Sequence, residues 1–305
     1  MKKPLEKPMS REKLQKKVNM IRKIMSFRSK SMMDMTHAIG DDVWYDTDAG
    51  KVRALAYGFD DAAVKPLLVN IHGSGFVLGS AAMDDPFMMQ FVEQCGVKVI
   101  SIDYTLSPEV MYPVAQDQCY AVCRYAKAHA IELGIDPDRI MLMGHSAGGN
   151  FCAAIGLREN GRPTLGLKGI ILDYPPLDIA TDPFDKPLPK GCLPPKMCRM
   201  FNAAYCTQEQ AKSPLISPVF ATEEMVNHFP PTLVITAGND SLAGEAERFK
   251  DTLLRTGVEV AFKRFENAHH GFTITGEKNA RKQPEDCAAS REAWKMMVDF
   301  VNQHI

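Results

Sequence analysis

Net charge is almost absent from this sequence: 36 Lys and Arg stand against 37 Asp and Glu, a formal balance of −1. A chain so balanced offers nucleic acid no overall electrostatic attraction. Long apolar runs are missing as well. No stretch approaches the roughly 18 consecutive apolar residues of a membrane span, so stable insertion into a bilayer is not expected. The basic N-terminal stretch is not followed by an apolar core with a small-residue cleavage site, which makes the cytoplasm the expected location. Paired C-x-x-C spacing is lacking among the eight cysteines, Cys95, Cys119, Cys123, Cys152, Cys192, Cys198, Cys206 and Cys287. They read as reduced, mostly buried thiols, and neither a disulfide framework nor a zinc site is expected. Internal repeats and low-complexity segments are also absent.

What the chain does have is length and an ordinary core composition. Its 305 residues, 45% hydrophobic and 24% charged, suit one large α/β domain, alone or with an inserted or appended cap. Charge is unevenly spread. Residues 1–30 hold eleven Lys or Arg against Glu6 and Glu12, which makes that segment +9 and leaves −10 for the rest. The plain reading is a solvated face on an N-terminal helix. Leu14, Val18, Ile21 and Met25 recur at helical spacing within 11–33 and give that helix an apolar stripe. Met20, Met25, Met32, Met33 and Met35 would make a deformable surface, expected here to cover a cleft.

Beyond residue 40, strand and helix signals alternate. A hairpin is expected from 42–45 and 52–57 around Asp48-Ala49-Gly50. Apolar strands follow at 66–71, 97–102, 140–143, 167–172, 232–237 and 258–265. Helices are expected at 114–133, 151–157, 242–255 and 285–303, and Asp136-Pro137-Asp138-Arg139 should turn the chain into the strand at 140. Such alternation predicts a parallel, doubly wound sheet. Residues 178–231 break the pattern with a run of prolines and read as an insertion over the sheet edge.

The chemistry gathers just past the strand ends. Gly144-His145-Ser146-Ala147-Gly148 fits G-x-S-x-G between a buried strand and a helix, the context in which a serine is lifted on a tight turn. The N–H of Ala147 then falls at a helix N-terminus, where unpaired donors favour developing negative charge. His72-Gly73-Ser74-Gly75-Phe76 follows another strand and could turn N–H groups toward a ligand oxygen. Asp240 and His270 follow two later strands. The order Ser146, Asp240, His270 is nucleophile, acid and base as the α/β-hydrolase fold arranges them. Singly, Asp240 reads as a helix cap and His270 as an ordinary loop histidine; together, with the glycine-rich loop, they read as a triad.

These motifs resemble the hormone-sensitive-lipase-like branch of the α/β-hydrolases, the bacterial esterases with H-G-G-G and G-D-S-A-G-G motifs. The resemblance runs from about residue 40 to the C-terminus and also takes in Asp103-Tyr104, Ser107-Pro108-Glu109, Tyr112-Pro113, Ser213-Pro214-Leu215, Ser217-Pro218, Asp240-Ser241-Leu242 and His270-Gly271-Phe272. It implies an eight-stranded, mostly parallel sheet flanked by helices, with a helical cap formed by residues 1–40 and by a segment inserted at about 178–230 into the catalytic domain 41–305. It also implies hydrolysis of a small-molecule ester without metal or other cofactor, through Ser146, His270 and Asp240, with the N–H groups of Ser74, Gly75 and Ala147 as oxyanion donors. Ser74 departs from the usual glycine and His145 from the usual aspartate, the latter reading as a structural hydrogen bond. Gly244 lacks a carboxylate often found four residues after the acid. Asp173, Asp178 and Glu245 are the rival third members, and His269 is the rival base. A short-chain carboxylesterase is the expected activity. A deacetylase of sugars or xenobiotics and a non-catalytic ligand-binding receptor of the same fold are the alternatives, and self-association is left open.

Overall fold

The protein was analysed as a computed structural model that describes residues 10–28, 35–161, 163–277 and 281–305. Eight strands form one sheet: β1 (Asp41–Thr47), β2 (Gly50–Tyr57), β3 (Lys65–Ile71), β4 (Lys98–Asp103), β5 (Ile135–His145), β6 (Gly169–Asp173), β7 (Thr232–Asn239) and β8 (Val260–His269). Their order is β1-β2-β4-β3-β5-β6-β7-β8. The first two pairings are antiparallel and all the others parallel. This is the α/β-hydrolase sheet that the sequence predicted.

The central strands are apolar on both faces, as parallel strands covered on each side must be. Leu67, Val69, Ile71, Leu142 and Leu172 join one buried cluster with α3 (Val114–Ala128), α5 (Ala147–Glu159) and α7 (Ala243–Arg255). Their alternate neighbours Leu68, Met141, Met143 and Ile171 join a second cluster, under α2 (Asp85–Cys95) and α9 (Pro284–His304). The turn expected at 136–139 lies inside β5 as a bulge: pairing with β3 jumps from Ile135 to Ile140, and Asp136 accepts from the Asp138 N–H at 2.9 Å.

A third, smaller cluster lies outside this sandwich. Leu14 and Val18 of α1 (Arg11–Arg28) pack with Phe201 and Ala204 of α6 (Pro195–Tyr205) over Val77 and Leu78. α6 thus gives the proline-broken insertion a helix that its sequence pattern did not reveal. Two of the methionines expected to cover a cleft are placed elsewhere. Met20 is 59% exposed, Met35 packs on the α2/α9 side of the sheet, and Met32 and Met33 lie outside the described residues. Residues 35–40 likewise leave the α1 layer, because the Asp85 carboxylate accepts the N–H groups of Ile39 and Gly40 at 2.6 and 3.2 Å.

One close approach fixes how α5 meets the sheet. A Cβ on Gly148 would stand 1.8 Å from the Ile71 carbonyl oxygen, so only glycine lets the helix N-terminus reach the end of β3. Both sides of that contact are backbone and cannot yield cheaply. Gly148→Ala is therefore expected to lower stability by about 3 kcal/mol or more, the upper end of overpacking costs. Urea denaturation should show a lowered midpoint at an unchanged slope.

Candidate active site

Ser146 occupies the corner between β5 and α5 with φ 50° and ψ −117°, a conformation that L-residues seldom adopt. Two contacts hold it there. Its N–H donates to the Asp173 carbonyl at 2.8 Å, and its carbonyl accepts the first helical bond from Asn150 at 3.1 Å. Asn150 is itself buried and donates to the carbonyls of Pro176 and Ile216 at 2.7 and 2.9 Å. The Ser217 hydroxyl accepts from the Ile179 N–H and donates to the Ala211 carbonyl. Ser217 thus ties the start of the insertion to its later turn, and the Ile216 carbonyl just before it joins the insertion to the serine helix.

Ser146 Oγ lies 2.9 Å from His270 Nε2, and His270 Nδ1 lies 2.6 Å from Asp240 Oδ2. The other Asp240 oxygen accepts the Leu242 N–H at 3.1 Å, which orients the carboxylate at the mouth of α7. Burial disfavours charge on His270. The Asp240 carboxylate, by its charge and its hydrogen bond, with smaller help from Asp173 and Glu245, outweighs that and raises the imidazole above the ordinary histidine value. An imidazole so placed can accept a proton from a hydroxyl at 2.9 Å and be stabilised once charged.

The rival residues are engaged elsewhere. His269 donates its N–H to Asp286 at 2.9 Å, and its ring nitrogen lies 3.3 Å from the same oxygen. Glu245 pairs with Lys186 at 2.6 Å; burial lifts its carboxyl to about 7 against the pull of that lysine. Asp178 binds the Thr181 hydroxyl and N–H. Asp173 accepts from His145 Nδ1 at 2.7 Å and from the Thr273 hydroxyl at 2.6 Å. Asp240 is thus the carboxylate that meets His270.

The loop after β3 lies against the serine. A Cβ on Gly73 would fall 3.3 Å from Ser146 Cβ. Ser74, Gly75 and Phe76 all have positive φ, at 78°, 65° and 67°. This run of left-handed residues makes a tight turn, closed by the N–H groups of Val77 and Leu78, which donate to the Ser74 carbonyl at 3.4 and 3.1 Å. Ser74 fits with its side chain turned aside, its hydroxyl 3.3 Å from Met83 Sδ. Below the loop the buried His72 ring stacks on Tyr104 at 4.2 Å, and the Tyr104 hydroxyl donates to the His72 carbonyl at 3.1 Å. Above it stands Phe201, whose ring would be 2.3 Å from a Cβ on Gly75. Sequence reading did not single out Phe201, since nothing in the spacing of the insertion says that α6 returns over this loop. Among the described residues no group of His, Cys, Asp and Glu is arranged to hold a metal ion.

Comparison with known proteins agrees with this fold. Residues 68–274 match the family described as alpha/beta hydrolase fold. The chain is similar to the arylesterase of Saccharolobus solfataricus, 30% identical over 210 residues that cover 68% of each chain. It is similar to the hormone-sensitive lipase of Mus musculus, 37% identical over 111 residues, 36% of this chain and 15% of that one. It spans less than two thirds of several other curated relatives, 61% or 62% of their length. The solved hyperthermophilic esterase from Pyrobaculum calidifontis superimposes with a TM-score of 0.79 at 27% identity, over 97% of this chain and 98% of that one. This chain belongs to the α/β-hydrolase family, in the hormone-sensitive-lipase-like branch of esterases.

Proposed function

We propose that this protein is a serine carboxylesterase for small esters of short acyl chains, acting through an acyl-enzyme on Ser146. The observation that carries the reading is the continuous hydrogen-bond chain Ser146–His270–Asp240, 2.9 and 2.6 Å long, at the C-terminal ends of the strands. Attack by Ser146 Oγ on the ester carbonyl passes the hydroxyl proton to His270 Nε2, and Asp240 stabilises the imidazolium. His270 returns the proton to the leaving alcohol. A water, deprotonated by the same imidazole, then releases the acid. The oxyanion is assigned to the N–H groups of Ser74, Gly75 and Ala147, two from the coiled loop and one from the start of α5. A binding-only receptor would have no use for an ordered nucleophile and base, and this favours an enzyme.

The α1/α6 layer is the proposed cap. Phe201 leans on Gly75 beside the serine, and Leu14 and Val18 back it, so the acyl chain meets a packed apolar wall at short depth.

Ser146→Ala is expected to lower ester turnover by about four to six orders of magnitude while the protein stays folded. A fluorophosphonate should label Ser146. His270→Ala should lose most of kcat, whereas His269→Ala should change it less than about tenfold, the scale of one supporting hydrogen bond. Labelling elsewhere, or the reverse ranking of the histidines, would overturn the assignment.

Because His270 must be neutral to accept the proton and Asp240 raises its pKa, activity is lost as pH falls through that raised value. The acidic limb of kcat/KM is expected above the ordinary histidine range. Asp240→Asn should lower kcat and move that limb to lower pH, as read from pH–rate profiles of both proteins.

With p-nitrophenyl esters from acetate to decanoate, kcat/KM should climb by up to about 0.8 kcal/mol per buried methylene, then decline near hexanoate or octanoate. Phe201→Ala should move the decline to longer chains. A wild-type profile still rising at decanoate would contradict the closed wall.

A further inference from the structure

Asp173 is buried at the end of β6, and three hydrogen bonds converge on it. Its carbonyl accepts the Ser146 N–H at 2.8 Å. Its Oδ2 accepts His145 Nδ1 at 2.7 Å and Thr273 Oγ1 at 2.6 Å. Its strand neighbour across β5 is His145 itself, immediately before the serine. On one side, therefore, Asp173 grips the nucleophile turn twice, by backbone and by side chain. On the other it grips α8 (Phe272–Thr275), the single turn that follows His270-Gly271.

The second grip extends to the base. Since Thr273 Oγ1 gives its proton to Asp173, it accepts from the Tyr174 hydroxyl, 2.7 Å away. The Tyr174 ring meets His270 edge-on, with centroids 4.9 Å apart and planes at 64°. The Thr273 carbonyl accepts from Trp294 Nε1 at 2.8 Å and from Ser290 Oγ at 3.0 Å, so α8 is also fixed to α9. Every link is buried, where a hydrogen bond is strong and an unpaired partner costly.

We propose that Asp173, clamped by His145, is a positioning residue that sets the reach between Ser146 and His270 by holding both of their loops on one carboxylate. The proposal rests on the triad reading given above. The Ser146–His270 bond joins two loops from distant parts of the chain, and a displacement of about 1 Å between reacting groups can cost roughly a hundredfold in rate. A shared anchor removes that freedom. The carboxylates whose charge acts on His270 are Asp240, Asp173 and Glu245, and the Tyr174 ring, its hydroxyl bonded to Thr273, meets it edge-on.

The test uses full-length protein with p-nitrophenyl acetate. Thr273→Val cuts the carboxylate from α8 without removing charge; kcat should fall about tenfold with KM within twofold and the acidic limb of kcat/KM unmoved, and Thr273→Ser should restore kcat. Asp173→Asn should lower kcat further and, with one negative charge facing His270 gone, move the acidic limb to lower pH. A role in folding alone would lower the melting temperature and active fraction without moving that midpoint. Thr273→Val with kcat within twofold of wild type overturns the proposal, and so does a folded Asp173→Asn whose acidic limb stays in place. If Asp173→Asn does not fold, the Thr273 pair decides. Ser146→Ala serves as the control: turnover surviving in it removes the triad reading and this proposal with it, whereas wild-type kinetics at Thr273→Val beside an inactive Ser146→Ala removes this proposal alone.

Discussion

The site depends on one strained corner. Ser146 at φ 50° sits in a conformation that costs about 1–3 kcal/mol and persists only where its surroundings over-determine it. The surroundings here are backbone on three sides. The Ile71 carbonyl lies against Gly148, the Asp173 carbonyl takes the Ser146 N–H, and Gly73 lies so near that a Cβ there would stand 3.3 Å from Ser146 Cβ. None of these partners has a rotamer with which to relax. Parallel strands buried on both faces supply the rigidity, since β3, β5 and β6 end in register and present their last carbonyls at one level.

The electrostatics follow from the same burial. A carboxylate alone in that interior would be costly, so each one near the corner has been given a partner: Asp240 has His270, Asp173 has His145 and Thr273, and Glu245 has Lys186. Two histidine–aspartate pairs flank the serine, but only one imidazole reaches its hydroxyl. The His270–Asp240 pair keeps an edge open, 11% and 1% exposed, whereas the His145–Asp173 pair is closed off, 2% and 0% exposed. Burial opposes charge on both partners of that pair: it raises the Asp173 carboxyl above the usual carboxylate range, and on His145 it is outweighed by the Asp84 and Asp173 carboxylates, which raise the imidazole.

Most of this could be read in the sequence because it is local. The apolar runs of β3, β5 and β6, the glycines at 144 and 148 and the serine between them define the corner within about ten residues, and a strand-to-helix turn with that composition has few other uses. Two helices escaped for opposite reasons. α2 begins at Asp85-Pro86 and ends at Gly96, which at φ 64° donates its N–H to the Val92 carbonyl; these are ordinary start and stop signals, overlooked beside the stronger loop motif before them. α6 begins with Pro195 among so many prolines that they read as breakers, although proline in a first turn starts a helix. The Asp173 node was hidden because its meaning is spatial. Asp173 and His145 are 28 residues apart, and only the β5–β6 register makes them neighbours.

The outer layer joins the corner through the same loop that carries the proposed oxyanion donors. Arg22 of α1 donates to the carbonyls of Val77 and Ser107, each at 2.8 Å, and binds both oxygens of Glu109 at 2.6 and 2.9 Å. Ser107 in turn donates its N–H to the Phe76 carbonyl at 2.9 Å, and Phe76 stacks on Tyr205 of α6 at 4.0 Å. Residues 74–78 are therefore held from below by the sheet and from above by both helices. An acyl chain that displaced Phe201 would pull on Gly75 as well, because the ring is packed on that backbone. On the proposed reading, a poorly fitting substrate distorts the oxyanion donors at the moment they are needed, so the penalty falls on turnover more than on binding. On that same reading, selectivity is a property of the loop that carries the proposed oxyanion donors, and the α1/α6 layer exerts it by leaning on that loop.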